Sequence, residues 1–196
     1  NGYSWDGIRY VYNPFSILKF FFEKEFRNYW FETGTPTFLV EFIRNHCLPV
    51  KDLENYQLAQ AVFDSFSIDD IDIYNLLFQT GYLTIKNYDR KQMRYTLSYP
   101  NKEVKIAFMQ SLHEGFSFKK YSESGKIIWD LEAALENSDL ERFFILFKSL
   151  FSAIPHDIFI RDSEAYYHSI IFLTLSLLGL DIACEVHTNI GSIDAV

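Results

Sequence analysis

Cysteine is scarce here: Cys47 and Cys184 stand far apart in 196 residues, with no CxxC motif and no Cys/His cluster. Zinc and thiol-redox motifs are therefore unsupported, and a reducing cytoplasm is the expected location. Glycine and proline are sparse too, at eight and five, which argues against disordered tracts and for a packed protein. No apolar run reaches the roughly 20 residues that a membrane span needs. The longest, Ile170–Leu180, is interrupted by Thr174, Ser176 and Gly179, so no membrane partner is expected. A Gly-x-x-x-x-Gly-Lys-Ser/Thr phosphate loop is missing as well; Gly125-Lys126 lacks the upstream glycine. There is no signal peptide, and the first residue is Asn rather than Met, so the chain is expected to be part of something longer.

What the chain does have is aromatic side chains, 13 Tyr, 20 Phe and 3 Trp. Phe20-Phe21-Phe22 and Phe143-Phe144 fall inside helical patterns, where core packing is the expected use. Charge is unevenly spread. Lys+Arg against Asp+Glu runs 5 to 5 over residues 1–50, 7 to 8 over 51–112, and 6 to 13 over 113–196, which places most of the net −8 in the last segment. An acidic segment binds a phosphate backbone poorly by itself. With divalent cations between its carboxylates and the phosphates, it can act on one.

The periodicity predicts a mainly α protein with small β elements. Asn13-Pro14 opens a helix carrying Phe15, Leu18, Phe22 and Phe26 at helical spacing. Thr35-Pro36 opens a second, with Phe38, Leu39, Phe42 and Ile43, which Pro49 ends. From Asp69-Asp70 a helix runs through Ile73, Leu76 and Leu77 to Gly81. Strands follow at residues 82–87 and 94–99, and Pro100-Asn101 restarts a helix. Helix, strand, tip, strand, helix is a winged-helix-like pattern over 51–112. Its tip region holds Lys86, Arg90, Lys91 and Arg94, the densest basic cluster in the chain. Nucleic-acid contact by a wing is one reading; solvated hairpin charge, or a wing used for protein interaction, is the other. Residues 113–155 read as a loop and two helices, about 127–136 and 140–153, separated by Asn137-Ser138-Asp139.

The last segment carries the chemistry. Asp162-Ser163 caps a helix in which Tyr167, Ile170, Ile171, Thr174, Leu175 and Leu178 recur at helical spacing, with Phe172, Leu173 and Leu177 filling the rest. Glu164 stands in its first turn, where the helix dipole alone would favour an acid. After Gly179, residues 181–188 alternate as a strand, Asn189–Ser192 turns, and Ile193–Val196 returns with Asp194 among apolar neighbours. A strand acid without a cationic neighbour is costly to bury unless hydrogen bonds or a metal satisfy it, so Asp194 is weighted toward function. Glu185 and His187 join it if the hairpin register sets them on the same face; otherwise they are ordinary polar-face residues.

Glu on a helix, a strand, then Gly191-Ser192-Ile193-Asp194 on the next strand resembles the first two motifs of the PD-(D/E)XK nuclease superfamily. More closely, the chain resembles bacterial AAA-ATPase-like proteins that end in such a nuclease domain, and this resemblance covers its whole length. Asn1–Trp5, Tyr12–Ser16 and Asn28–Thr37 are similar to the end of that family's ATPase-like domain. Glu164–His168 and Glu185–Asp194 are similar to the start of its nuclease domain. The resemblance implies four segments: 1–50, the helical end of the ATPase-like domain; 51–112, winged-helix-like; 113–155, a helical linker; 156–196, the opening of a truncated restriction-endonuclease-like αβ core. It implies Mg²⁺ as cofactor, with Asp194 as the metal-binding catalytic acid and Glu164 completing or orienting the site. It also implies an acid-x-Lys strand that this chain lacks, and ATP bound only upstream of Asn1. Ser192 stands where the family usually has Arg. A catalytically silent piece of a nucleic-acid phosphodiesterase is thus expected, its partners nucleic acid in the intact protein and other proteins. The alternatives are a regulatory or interaction module with a degenerate nuclease-like portion, and a helix–wing DNA binder.

Overall fold

A computed structural model describes residues 2–27, 29–30, 37–46, 48–64, 72–152, 154, 163–180, 182, 184–187 and 192–195. In chain order the elements are α1 (Pro14–Glu23), α2 (Thr37–Asn45), a 3-10 turn (Val50–Leu53), β1 (Tyr56–Ala59), α3 (Gln60–Asp64), α4 (Ile73–Gln79), β2 (Thr84–Asp89), β3 (Arg94–Ser98), α5 (Lys102–Ser117), α6 (Tyr121–Glu136), α7 (Leu140–Phe151), α8 (Ser163–Leu177), β4 (Cys184–His187) and β5 (Ser192–Ala195). The protein is mostly helical, with two small antiparallel sheets among the described residues, an α+β protein as the periodicity predicts.

Short polar side chains set the helix starts. The Asn13 carboxamide oxygen accepts from the Phe15 and Ser16 N–H groups at 2.9 and 3.2 Å, opening α1 ahead of Pro14. Asp72 accepts from Asn75 N–H at 2.8 Å, Asn101 from Val104 N–H at 2.9 Å and Asp139 from Arg142 N–H at 3.0 Å. Each satisfies donors that the first turn leaves without an intrahelical partner. Asp69, Asp70, Thr35, Pro36 and Asp162, expected as start signals, lie outside the described residues.

The chain divides into two units. The first takes residues 1–39 and 52–108. Its sheet has the order β1-β3-β2, all antiparallel, with a bulge in β2 between Ile85 and Asn87. Leu58, Ile85 and Leu97 of the sheet and Leu77, Val104 and Phe108 of the helices are buried. Tyr82 packs edge-on against Trp30 at 4.7 Å between centroids and at a tilt against Phe108 at 4.4 Å. The N-terminal loop docks on β2: Ser4 N–H donates to Thr84 Oγ1 at 2.6 Å, and the Thr84 hydroxyl donates back to the Ser4 carbonyl at 3.0 Å. Gly7, at φ +70°, passes so close to Asn87 that a Cβ would sit 3.1 Å from its Cα.

The second unit takes residues 40–51 and 109–196. Leu131, Ala134, Phe143 and Leu150 form its core between α6 and α7, with Leu175 of α8 and Leu178 just beyond its end packed against them. The latter part of α5 belongs here too. The Arg44 guanidinium donates to the Gly115 carbonyl at 3.0 Å and lies 4.7 Å over the Phe118 ring. Gly115 is glycine for a packing reason, since a Cβ there would overlap Val40 Cγ1.

Three expectations need correction. The loop expected after residue 112 is helix: α5 continues through Gly115 to Ser117, and α6 starts at Tyr121 rather than near 127. The break falls at Phe118, whose φ is +54°, and not at either glycine. β1 and α3 were not expected; at four and five residues they are too short to show a period. Lastly, α1 buries none of its residues. Phe21 and Phe22 are 67% and 87% exposed, so of the Phe20–Phe22 run only Phe20 is partly buried, 4.5 Å from the Phe26 ring, within the described residues.

Candidate functional site

α8 is pinned to α5 at two heights, and the pinning fixes where Glu164 stands. The Tyr166 hydroxyl donates to the Phe116 carbonyl, and the two rings stack 5.3 Å apart. Two turns further on, His113 meets Thr174: the His113 Nε2 lies 3.2 Å from Thr174 Oγ1, whose own proton goes to the Ile170 carbonyl at 2.8 Å. Since the threonine proton is already committed, the histidine must carry its proton on Nε2 and donate. Both partners are buried, and burial, with Lys119 adding a smaller effect, lowers the His113 pKa to about 4. The buried side of α8 is Tyr166, Ser169, Ile170, Leu173 and Thr174, offset from the expected stripe because the helix docks on its tyrosine and threonine. Glu164, two residues before the Tyr166 anchor, sits exposed in the first turn.

β4 and β5 form an antiparallel hairpin in which Cys184 pairs with Ala195, Val186 with Ile193 and His187 with Ser192. The same register sets Glu185 across from Asp194. Because residues opposite one another share a face and alternate along the strand, Glu185, His187, Ser192 and Asp194 fall on one face of the ladder. Cys184, Val186, Ile193 and Ala195 fall on the other. The condition that would join Glu185 and His187 to Asp194 is met at the level of register. The side chains of both strands, and Gly191, lie outside the described residues. Among the described residues no group of three His, Cys, Asp or Glu side chains is arranged to hold a metal.

The basic cluster is gathered on a single hairpin of the first unit. Asp89 Oδ1 accepts from the Lys91 and Gln92 N–H groups at 2.8 and 3.1 Å, and Met93 closes the tip at φ +49°. Arg90, Lys91 and Arg94 are exposed there, with Arg94 in register opposite Asp89. Lys86 lies at the β2 bulge and donates to Asn55 Oδ1 at 3.0 Å. Sequence reasoning located all four residues. It missed Asn55, which has a left-handed φ of +63° just before β1; asparagine's tolerance of that conformation was the available signal.

No helix among the described residues is long and apolar enough to cross a membrane. No family model matches the chain, and no solved structure does. Over 206 aligned residues it is 39% identical to an "Uncharacterized protein in vnfD 5'region" of Azotobacter chroococcum mcd 1, an alignment that takes in 99% of this chain. The chain spans 38% of the length of that relative.

Proposed function

We propose that this chain is part of a bacterial, cytoplasmic AAA-ATPase-like/nuclease fusion whose intact form hydrolyses nucleic-acid phosphodiesters with Mg²⁺ under ATPase control. In this reading residues 1–50 end the ATPase-like part, 51–112 are winged-helix-like, 113–155 link, and 156–196 open the nuclease core. The observation that carries it is the register of β4 and β5. It sets Glu185 opposite Asp194, and two carboxylates directly across a ladder repel unless a cation lies between them. The resemblance adds Glu164, in the first turn of α8, as a further carboxylate, and carboxylate oxygens suit a hard ion such as Mg²⁺.

The roles of this chain's own residues follow from that chemistry. Asp194 holds the ion, Glu164 orients or completes its shell, and the Tyr166 and Thr174 anchors keep the helix acid in place. The bound ion supplies charge neutralisation at the phosphate. An acid-x-Lys strand is still needed to position water, so the chain alone is expected to bind Mn²⁺ or Mg²⁺ without cleaving. The test is a plasmid and single-stranded RNA cleavage assay on a parent-length polypeptide. Mg²⁺-dependent cleavage falling at least about 100-fold in Asp194→Asn supports the reading; cleavage unchanged in Asp194→Asn, or none in the parental protein, overturns it.

A second reading has its own support in the exposed basic tip at Arg90, Lys91 and Arg94. There the 51–112 segment binds duplex DNA or a partner protein, and the nuclease-like portion is degenerate.

A further inference from the structure

Within the first unit, the three-stranded sheet keeps one face open. Its register sets Gln57, Thr96 and Asn87 in one row of that face and Ala59, Arg94 and Asp89 in the next. All of these except Thr96 are exposed. The opposite face is closed: Tyr88 and Tyr95 stack there at 4.5 Å between centroids, and Leu58, Ile85 and Leu97 are buried.

β2 is an edge strand, and the loop from Tyr3 to Val11 is tied along it. Reciprocal backbone bonds between Tyr3 and Val11, at 2.7 and 2.8 Å, close the loop. Ile85 N–H donates to the Ser4 carbonyl at 3.2 Å, and the Tyr10 hydroxyl lies 3.3 Å from the Lys86 carbonyl. Asp6 Oδ1 accepts from the Ile8 and Arg9 N–H groups, both at 2.8 Å, fixing the tip where Gly7 crosses Asn87. These bonds hold Trp5 and Tyr10 beside the strand, 67% and 49% exposed.

Positive charge follows the same strand. Arg9 at the loop tip, Lys86 at the bulge, Arg90 and Lys91 at the hairpin tip and Arg94 on the open face are all exposed. The carboxylates among them are Asp6 and Asp89, each bonded to two backbone N–H groups. Glu54, next to the Asn55 that holds Lys86, is paired with Lys105 at 2.6 Å. Phosphates suit such a surplus of cations, and exposed rings suit unstacked bases. A duplex suits it less well. Helix–wing duplex readers set a helix in the major groove, but α3 and α4 contain no Lys or Arg, and α4 buries Ile73, Tyr74, Asn75 and Leu77.

We propose that this loop and sheet edge bind single-stranded nucleic acid, with phosphates along Arg9, Lys86, Arg90, Lys91 and Arg94 and bases stacked on Tyr10 and Trp5. Such binding rests on the basic tip of the second reading above, adds to it the aromatic loop and the strand state, and is independent of the cation site.

The test is fluorescence anisotropy with this chain and two fluorescein-labelled probes, an oligothymidylate of about 12 nucleotides and a duplex of the same length, at about 20 and 200 mM NaCl. The single strand should bind at least about tenfold more tightly than the duplex and weaken as salt rises. Tyr10→Ala with Trp5→Ala should lower single-strand affinity at least about tenfold and leave the weak duplex binding unchanged. Arg9→Gln, which keeps every backbone bond of the loop, should lower it at least about threefold and so decides the matter if the aromatic variant loses stability. Duplex binding as tight as single-strand binding overturns the proposal and leaves the second reading standing. So does single-strand binding that neither variant weakens. Binding of neither probe at about 20 mM salt overturns it as well, and leaves a partner protein as the use of the tip.

Discussion

Acidification should destabilise this protein well above the pH at which its carboxylates titrate, and His113 sets the size of the effect. Its imidazole is buried between α5 and α8, donates to Thr174, and has its pKa lowered from 6.5 to about 4. In the unfolded chain the same group takes up its proton near 6.5. Between those values the unfolded state therefore binds more protons, and stability rises with pH. The contribution is complete above about pH 6.5 and is lost as pH falls toward 4. At about 1.36 kcal/mol per unit of pKa difference, the loss between pH 7.5 and 5 is about 2 kcal/mol. His113→Gln keeps an N–H donor at the same reach and removes the titration. Urea unfolding followed by tryptophan fluorescence should give a wild-type midpoint that drops over this window and a His113→Gln midpoint that is nearly flat. Thr174→Val leaves the buried donor unpaired and should cost about 1–3 kcal/mol at neutral pH. The same pH slope in wild type and His113→Gln, or a His113 resonance titrating near 6.5, would refute the reasoning.

Gly115→Ala should destabilise by about 1–3 kcal/mol, since its new methyl overlaps Val40. Adding Val40→Ala should recover part of that loss in a double-mutant cycle of melting temperatures; a second substitution that simply adds its own cost would contradict the contact. Asp139→Ala removes the side-chain acceptor of the Arg142 N–H. It should cost about 1 kcal/mol, or roughly 2–4 °C of melting temperature, by calorimetry. The wing reading predicts weak, salt-sensitive binding of duplex DNA by this chain, reduced at least about tenfold by Arg90→Ala with Lys91→Ala. No binding by fluorescence anisotropy at about 20 mM salt would exclude it.

Side-chain-capped helix starts were legible because they are local. Asn13-Pro14, Asn101 and Asp139 each act on N–H groups two or three residues away, so adjacent letters carry the whole signal. The β2–β3 hairpin was legible for the same reason. What sequence could not show was what a face packs against. Phe15, Phe21 and Phe22 of α1 have the spacing of a core helix but lie exposed within the described residues, because periodicity reports a face and not its partner. Gly115 falls in the stretch expected as a loop, yet it is a point of close approach to Val40 within a helix. Glu164 and Asp194 stand on the elements the sequence assigns them, the first turn of α8 and the strand β5. The pairing of Glu185 with Asp194 was not legible, because a one-residue slip of register would have put them on opposite faces.

The central claim is that carboxylates of the last segment form a cation site, and Mn²⁺ binding to this chain measures it directly. Electron paramagnetic resonance titration should show about one bound Mn²⁺ per chain. Affinity should fall at least about tenfold in Asp194→Asn and less in Glu164→Gln, with melting temperatures preserved. Saturable binding unchanged in Asp194→Asn, or no saturable binding in the wild-type chain, would contradict the account.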